Sequence, residues 1–398
     1  MTVHTEILLI AIAVSIACAI PGVFLVLRRM SMMADAITHT VFLGIVLAFF
    51  VTEDLNSPLL LVGATVVGVG TVWLTEMIHN TGLVNEDASI GIIFPLLFSI
   101  AIILVSLYSG NAHLDVDTAL LGEIAFAPFD RWIINGTDLG PVSLWISLGV
   151  AVINLVLVML FYKELQLSTF DPLLAGLFGF MPALIHYVLM TMVSLTVVAS
   201  FQAVGAILVI GLMIGPAVIA YLWTDSVKAM LTSSIIIGML CAVIGTEIAF
   251  TLDVSIAGAI ATTIGLALLI AVICTPKTGY IATYLRQRHL RRHYRETMML
   301  CHIYTHMNTP VAAIENGIGT IHEHLNWKPD YTHQAASHLK KQGLLYVTNG
   351  YYILTDKGVI LTCKEEKIHY YAKFGFVNEG ESVSDHGGAK WYQMRVVF

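Results

Sequence analysis

Asp35 and His39 stand four residues apart in the stretch SMMADAITHTVFLG, Ser31 to Gly44, inside a run apolar enough to span a membrane. That spacing puts a carboxylate and an imidazole on one helix face, one turn apart. Ionisable groups are costly in a bilayer, so they usually mark an ion or substrate path. With no thiolate nearby, an Asp–His pair suits a borderline-hard divalent metal such as Mn2+, Fe2+ or Zn2+. The competing reading is a polar pair that only bonds one helix to another.

Three other groups carry chemistry. In LSTFDPLLAGLFGFMP, Leu167 to Pro182, Asp171 and Pro172 mark a helix start, with Asp as N-cap and Pro at the first helical position. Leu173, Leu174, Leu177 and Phe178 give this short helix an apolar face and Gly179 ends it. Such a helix docks a partner protein or lies on lipid. His113, Asp115 and Asp117 form an acidic rim that attracts cations or meets a partner, against the plain reading of a solvated loop. His302 and His306, with His322 and His324 further on, offer cytosolic metal sensing; the plain alternative is a histidine-rich surface without a full ligand set. No phosphate-binding GxxxxGK[ST], nucleophile elbow or HExxH occurs, so the sequence offers no catalytic constellation.

These residues are positioned by an unusual chain. A hydrophobic fraction of 57% with only 12% charged residues excludes an ordinary soluble domain. Nine segments are long enough to span: 6–27, 34–52, 58–78, 88–108, 141–162, 182–201, 203–223, 229–250 and 255–274. Residues 1–275 hold only five of the 20 Lys+Arg, whereas the tail beyond holds ten of the 15 histidines. Arg28-Arg29, Lys163, Lys228 and Lys277 all fall on one side, which the positive-inside rule makes cytoplasmic. The N-terminus is then outside and the tail inside. Among the polar residues within or beside spans, Glu247 reads as solvated at an outer end and His186 as bonded to a neighbouring backbone. Asn154, Gln202 and Glu76 read as interhelical bonders or interfacial groups. The five cysteines show no paired-ligand spacing and no disulfide framework.

Three ordered stretches resemble the permease subunit of zinc/manganese/iron ABC importers. SMMADAITHTVFLG is similar to the family's Ser-Leu-x-Gly-Asp-Ala-x-Ser-His-x-x-x-Pro-Gly pattern, with Ala34, Thr38 and Leu43 in place of Gly, Ser and Pro. FDPLLAGLFG, Phe170 to Gly179, resembles its cytoplasmic coupling segment, and AVGAILVIGLMIGPAVIAYL, Ala203 to Leu222, one of its spans. The resemblance implies a permease dimer, a pair of cytoplasmic ATPase subunits and an extracytoplasmic metal-binding lipoprotein in a bacterial plasma membrane. It also implies that Asp35 and His39 line the translocation path, contributed by both permease chains. Phe170, Asp171, Pro172, Ala175 and Gly179 are the expected coupling residues. The cargo is expected to be Mn2+, with Zn2+ or Fe2+ as alternatives, and no tightly bound cofactor is expected.

The fold class expected is an all-α polytopic membrane protein of about nine spans, residues 1–275, plus a small cytoplasmic α/β domain. Residues 276–293 read as a basic juxtamembrane linker suited to anionic lipid. Helical patterns over 294–307, 310–325 and 331–342, then a hairpin about Thr348-Asn349-Gly350, give a 294–368 domain similar to the winged helix of diphtheria-toxin-repressor-type regulators. Its last helix, Tyr331 to Gln342, offers Tyr331, Thr332, His333, Gln334, His338, Lys340 and Lys341 to DNA, yet the local basic charge is thin for a DNA reader. A regulatory or protein-interaction role is preferred, and a membrane-anchored metal-responsive regulator is the alternative for the whole chain. Residues 369–398 have no assignment.

Overall fold

The computed structural model describes residues 2–53, 57–108, 124–134, 137–276, 279–355, 359–364, 367–373, 377–381 and 391–396. Two compact units divide the chain, Met1–Ile281 and Ala282–Phe398. The first contains α1 (Val3–Leu27), α2 (Ser31–Thr52), α3 (Pro58–His79) and α4 (Glu86–Tyr108). A short hairpin of β1 (Arg131–Ile134) and β2 (Thr137–Pro141) precedes α5 (Val142–Leu160), α6 (Tyr162–Phe170) and α7 (Pro172–Leu177). Then come α8 (Pro182–Val204), α9 (Ala206–Trp223), α10 (Val227–Leu252) and α11 (Ile256–Cys274). Among the described residues nine of these helices are long and apolar enough to cross a membrane, all but α6 and α7. They coincide with the nine expected segments to within a few residues.

Local chemistry sets the ends of the helices. Ser57, Ser226 and Ser255 cap α3, α10 and α11, each accepting a backbone N–H from the first turn. Arg29, Glu53 and Asp253 take the left-handed conformation just past α1, α2 and α10, which stops each helix and turns the chain back. Gly205, at φ 78°, separates α8 from α9 where a side chain would be strained.

Helix α1 is the centre of the bundle, packed by α5, α9 and α10, with Ile10, Val14, Phe24 and Leu25 fully enclosed. The peripheral helices turn apolar side chains outward: Val66 of α3, Ile103 of α4, Val156 of α5 and Leu269 of α11. A water-soluble surface of this kind would associate; a hydrocarbon surround suits it. One buried polar side chain ties three helices of the bundle together. The Asn154 amide donates to the Ala17 carbonyl at 3.1 Å and to Thr196 Oγ1 at 2.7 Å, tying α5 to α1 and α8.

Small residues let α2 and α3 touch backbone to backbone. A Cβ on Gly44 would lie 2.5 Å from Ala64 Cα and 2.6 Å from the Gly63 carbonyl oxygen. Gly44→Ala is therefore expected to push the two helices apart and to destabilise the protein by about 1–3 kcal/mol. Thermal unfolding of the purified protein in detergent checks this, with an unchanged midpoint as the contrary result.

In the second unit, α12 (Tyr280–His306) is followed by α13 (Ala312–Glu315), α14 (Ile321–His324) and α15 (Pro329–Lys341). Next come the antiparallel pair β3 (Leu345–Thr348) and β4 (Tyr351–Leu354). Asn349 and Gly350 both have positive φ, as a two-residue hairpin turn requires. Met299, Ile303, Ile321, Leu339, Leu345 and Leu354 form the core of this unit. The stretch read as a linker is helical from Tyr280 onward and runs unbroken into the first expected helix. The expected helix 310–325 is interrupted: Asn316 and Gly317 instead bond to the hairpin, Tyr352 N–H donating to the Asn316 carbonyl at 2.9 Å. Farther on, β5 (Val359–Lys364), the short α16 (Ile368–Ala372), β6 (Val377–Glu381) and β7 (Trp391–Val396) follow, the strands forming an antiparallel sheet in the order β5-β7-β6. Residues 377–381 and 391–396, which sequence patterns left unassigned, are thus strands of one sheet.

Candidate metal site and the elements around it

Helix α2 is continuous through Leu43, where the resembled family has Pro. Met33, Ala34, Ala36 and Ile37 are buried against the bundle, while Met32 is exposed. Asp35 and His39 lie between these two faces, their side chains 37% and 31% exposed, open enough to receive an ion. His39 Nε2 stands 3.5 Å from Asp35 Oδ1. The His39 ring leans on two phenylalanines of α4, with centroids 5.5 Å from Phe94 and 5.9 Å from Phe98, which limits its rotation. Thr38 Oγ1 donates to the Asp35 carbonyl at 2.6 Å, and Thr71 donates to Thr40 Oγ1 at 2.8 Å, fixing α2 against α3.

Two ligand atoms do not close a metal's coordination shell. Among the described residues no third His, Cys, Asp or Glu joins this pair. An ion held here keeps water or takes ligands from another chain, which suits passage better than a closed four-ligand site. The rim residues His113, Asp115 and Asp117 lie outside the described residues.

The short helix α7 forms as its residues dictate. Asp171 Oδ1 accepts the Leu174 N–H at 2.9 Å, Pro172 occupies the first helical position, and Gly179 at φ 84° ends the turn. Ala175 is fully buried, whereas Leu173 and Leu177 are each 85% exposed, flanked by exposed Phe170, Phe178 and Met181. Its apolar face is thus turned away from the bundle.

Sequence reasoning missed how firmly the preceding helix is fixed. Arg28, at the end of α1, donates from Nη2 to Ser168 Oγ at 2.7 Å and from Nε to Thr169 Oγ1 at 3.1 Å, both on α6. The same guanidinium lies 3.3 Å from His186 Nδ1, and since arginine only donates, Nδ1 accepts. The proton therefore sits on Nε2, which faces Glu76 Oε1 at 2.7 Å. Tyr187 Oη donates to the other Glu76 oxygen at 2.6 Å. His186 was read as bonding a neighbouring backbone; it instead joins α8 to α1 and α3. The signal available in the sequence was four polar residues at corresponding span ends, with nothing to say which would meet.

At the other end of the bundle Arg131 grips Glu6 with two 3.2 Å bonds and Asp138 with one of 2.6 Å. The Gly140 amide and the Arg131 guanidinium hold the Asp138 carboxyl below the usual range. His4 and Glu247 lie 3.4 Å apart at the same end.

In the second unit His302, His306 and Glu315 come together, with His324 beside Glu315, while His322 lies 4.0 Å from its neighbour Glu323. A cleft of about 940 Å³ between α12 and α15 gathers Arg288, Arg291, Arg292, Arg295 and Lys341. Basic charge that looked thin on α15 alone is therefore concentrated by α12.

The model of the ABC 3 transport family matches residues 2–275. The zinc transport system membrane protein TroD of Treponema pallidum is 41% identical over 357 residues, covering 89% of this chain and 97% of TroD. The manganese transport system membrane protein MntD of Bacillus subtilis is 43% identical over 292 residues, covering 73% of this chain and 99% of MntD. The solved structure of PsaBC from Streptococcus pneumoniae in complex with Fab aligns with a TM-score of 0.60 at 30% identity, over 72% of this chain and 96% of that one. With nine candidate spans and a family match across all of them, the chain belongs to the ABC 3 transport family, as a multi-pass membrane permease subunit and not an enzyme.

Proposed function

We propose that this permease carries a divalent transition metal, Mn2+ in the first place, inward across a bacterial plasma membrane, past Asp35 and His39. The observation that carries the reading is the half-open Asp–His pair, 3.5 Å apart on one face of a spanning helix. Its hard carboxylate and borderline imidazole accept Mn2+, Fe2+ and Zn2+ alike. A second permease chain supplies the facing wall of the path, ATPase subunits dock on α7, and an extracytoplasmic binding protein delivers the ion. The N-terminus is outside and the second unit cytoplasmic, so that Arg28, Arg29, Lys163 and Lys228 all lie inside. ATP binding pushes α7, and the Arg28 bonds to Ser168 and Thr169 pass that movement to α1, α3 and α8. The second unit's three-helix-and-hairpin core supports a winged-helix, regulatory reading.

Zinc is the second reading, and one observation favours it. The match to TroD, named for zinc, runs over 89% of this chain and so into the second unit, whereas the match to the manganese-named MntD covers 73% of this chain. A strain stripped of its own manganese and zinc importers, supplied with this permease and its partner subunits, separates the two. Manganese accumulation is expected; accumulation of zinc without manganese overturns the manganese assignment.

A further inference from the structure

We infer that the second unit holds a metal site of its own, built by His302 and His306 of α12 and Glu315 of α13, with His324 of α14 as a fourth ligand. One ligand atom from each of His302, His306 and Glu315 lies within 4.8 Å of the others. Ligand atoms around a tetrahedral ion bound at about 2.0–2.2 Å stand roughly 3.4 Å apart, so closing the site draws these atoms together and releases His302 Nε2 from the Glu315 carbonyl oxygen 3.1 Å away. Glu315 Oε2 is 3.8 Å from His302 Nε2 and 3.0 Å from His324 Nδ1, at the centre of the group. The rings follow: His302 lies 4.8 Å from His306 and is stacked 6.1 Å from His324, centroid to centroid.

The framework beneath is rigid. His302 flanks Ile303, and Ile303 and Ile321 are fully buried in the core of the unit. The Asn316 side chain, next to Glu315, donates to the Ile303 carbonyl at 3.2 Å and so ties α13 to α12. Ligands on three separate helices, held by the buried Ile303 and Ile321 and by the Asn316 bond, are the arrangement that a metal site needs. His322, equally available by sequence, is not part of it.

Three imidazoles and one carboxylate favour a borderline divalent ion, and the order of affinities places Zn2+ above Mn2+. The site is thus chemically more complete than the Asp35–His39 pair, as retention requires and passage does not. Its use as a gauge of imported metal rests on the proposed inward transport; the binding itself does not.

The test is metal stoichiometry of the purified full-length protein in detergent, equilibrated with Zn2+ and separately with Mn2+. Glu315→Gln and the double variant His302→Asn/His306→Asn are each expected to weaken one Zn2+ equivalent at least tenfold, an equivalent that Asp35→Ala/His39→Ala retains. Zn2+ is also expected to raise the unfolding temperature of the second unit in the wild type and not in Glu315→Gln, whose metal-free unfolding reports that it is folded. Equal Zn2+ binding by the wild type and by folded Glu315→Gln, or no Zn2+ binding that depends on these residues, overturns the site. Loss of binding in these variants with metal uptake intact in Asp35→Ala leaves this site standing and removes the transport reading instead.

Discussion

Leu173→Asp and Leu177→Asp, introduced together in α7, are expected to abolish metal uptake and to release the ATPase subunits from the purified permease. Both leucines are 85% exposed, so neither is needed for the packing of the chain itself. A short apolar face left open between two spans loses little in the isolated protein and gains most when a partner covers it. Burying a leucine contributes about 1.5–3 kcal/mol, and two together about 3–6 kcal/mol. That corresponds to a roughly 10²- to 10⁴-fold loss of affinity, before any cost of burying the new carboxylates. Asp171→Ala should be milder, since it removes only the cap on the Leu174 N–H, worth about 1 kcal/mol. Co-purification of the ATPase on the tagged permease checks the effect; full retention with both aspartates present would contradict the docking role.

Much of this molecule is legible in the sequence because a bilayer enforces strict rules. Nine apolar runs became nine helices, and Asp171-Pro172 started a helix where a capping residue and a proline together must. The turn at Asn349-Gly350 was equally direct, since few other residues accept positive φ at both positions. Asp35 and His39 were visible because helical spacing alone sets them on one face. What pairing alone decides was not visible. His186 finds Glu76 and Arg28 only because three spans end at the same level, and residues more than a hundred positions apart carry no mark of it. Glu315 was missed as a ligand for the same reason: it lies on a helix of four residues that Gly317 and the hairpin cut short, where a longer continuous helix was expected. The basic cleft was divided in advance between a linker and a helix, because nothing in the composition of 276–293 told that Tyr280 would begin one long helix.

Asp35→Ala and His39→Ala are expected to have effects as large as loss of the transporter. Each removes half of what this chain offers an ion, and replacement of even outer-shell partners of a metal ligand costs about 10- to 100-fold. Neither side chain is buried in the core: both are about one-third exposed, and they meet each other at 3.5 Å. The protein should therefore reach the membrane in normal amounts. Combining the two changes should add little, because residues that act as one unit are not additive. His39→Gln is a sharper probe, since it keeps the packing against Phe94 and Phe98 in part while removing the imidazole. The measurement that bears most directly on the account is elemental analysis of cells that depend on this permease, wild type against Asp35→Ala and His39→Ala at matched membrane abundance. The account predicts that accumulation of one divalent metal falls to the level of cells without the permease in both variants; undiminished accumulation in either would contradict a metal path through Asp35 and His39.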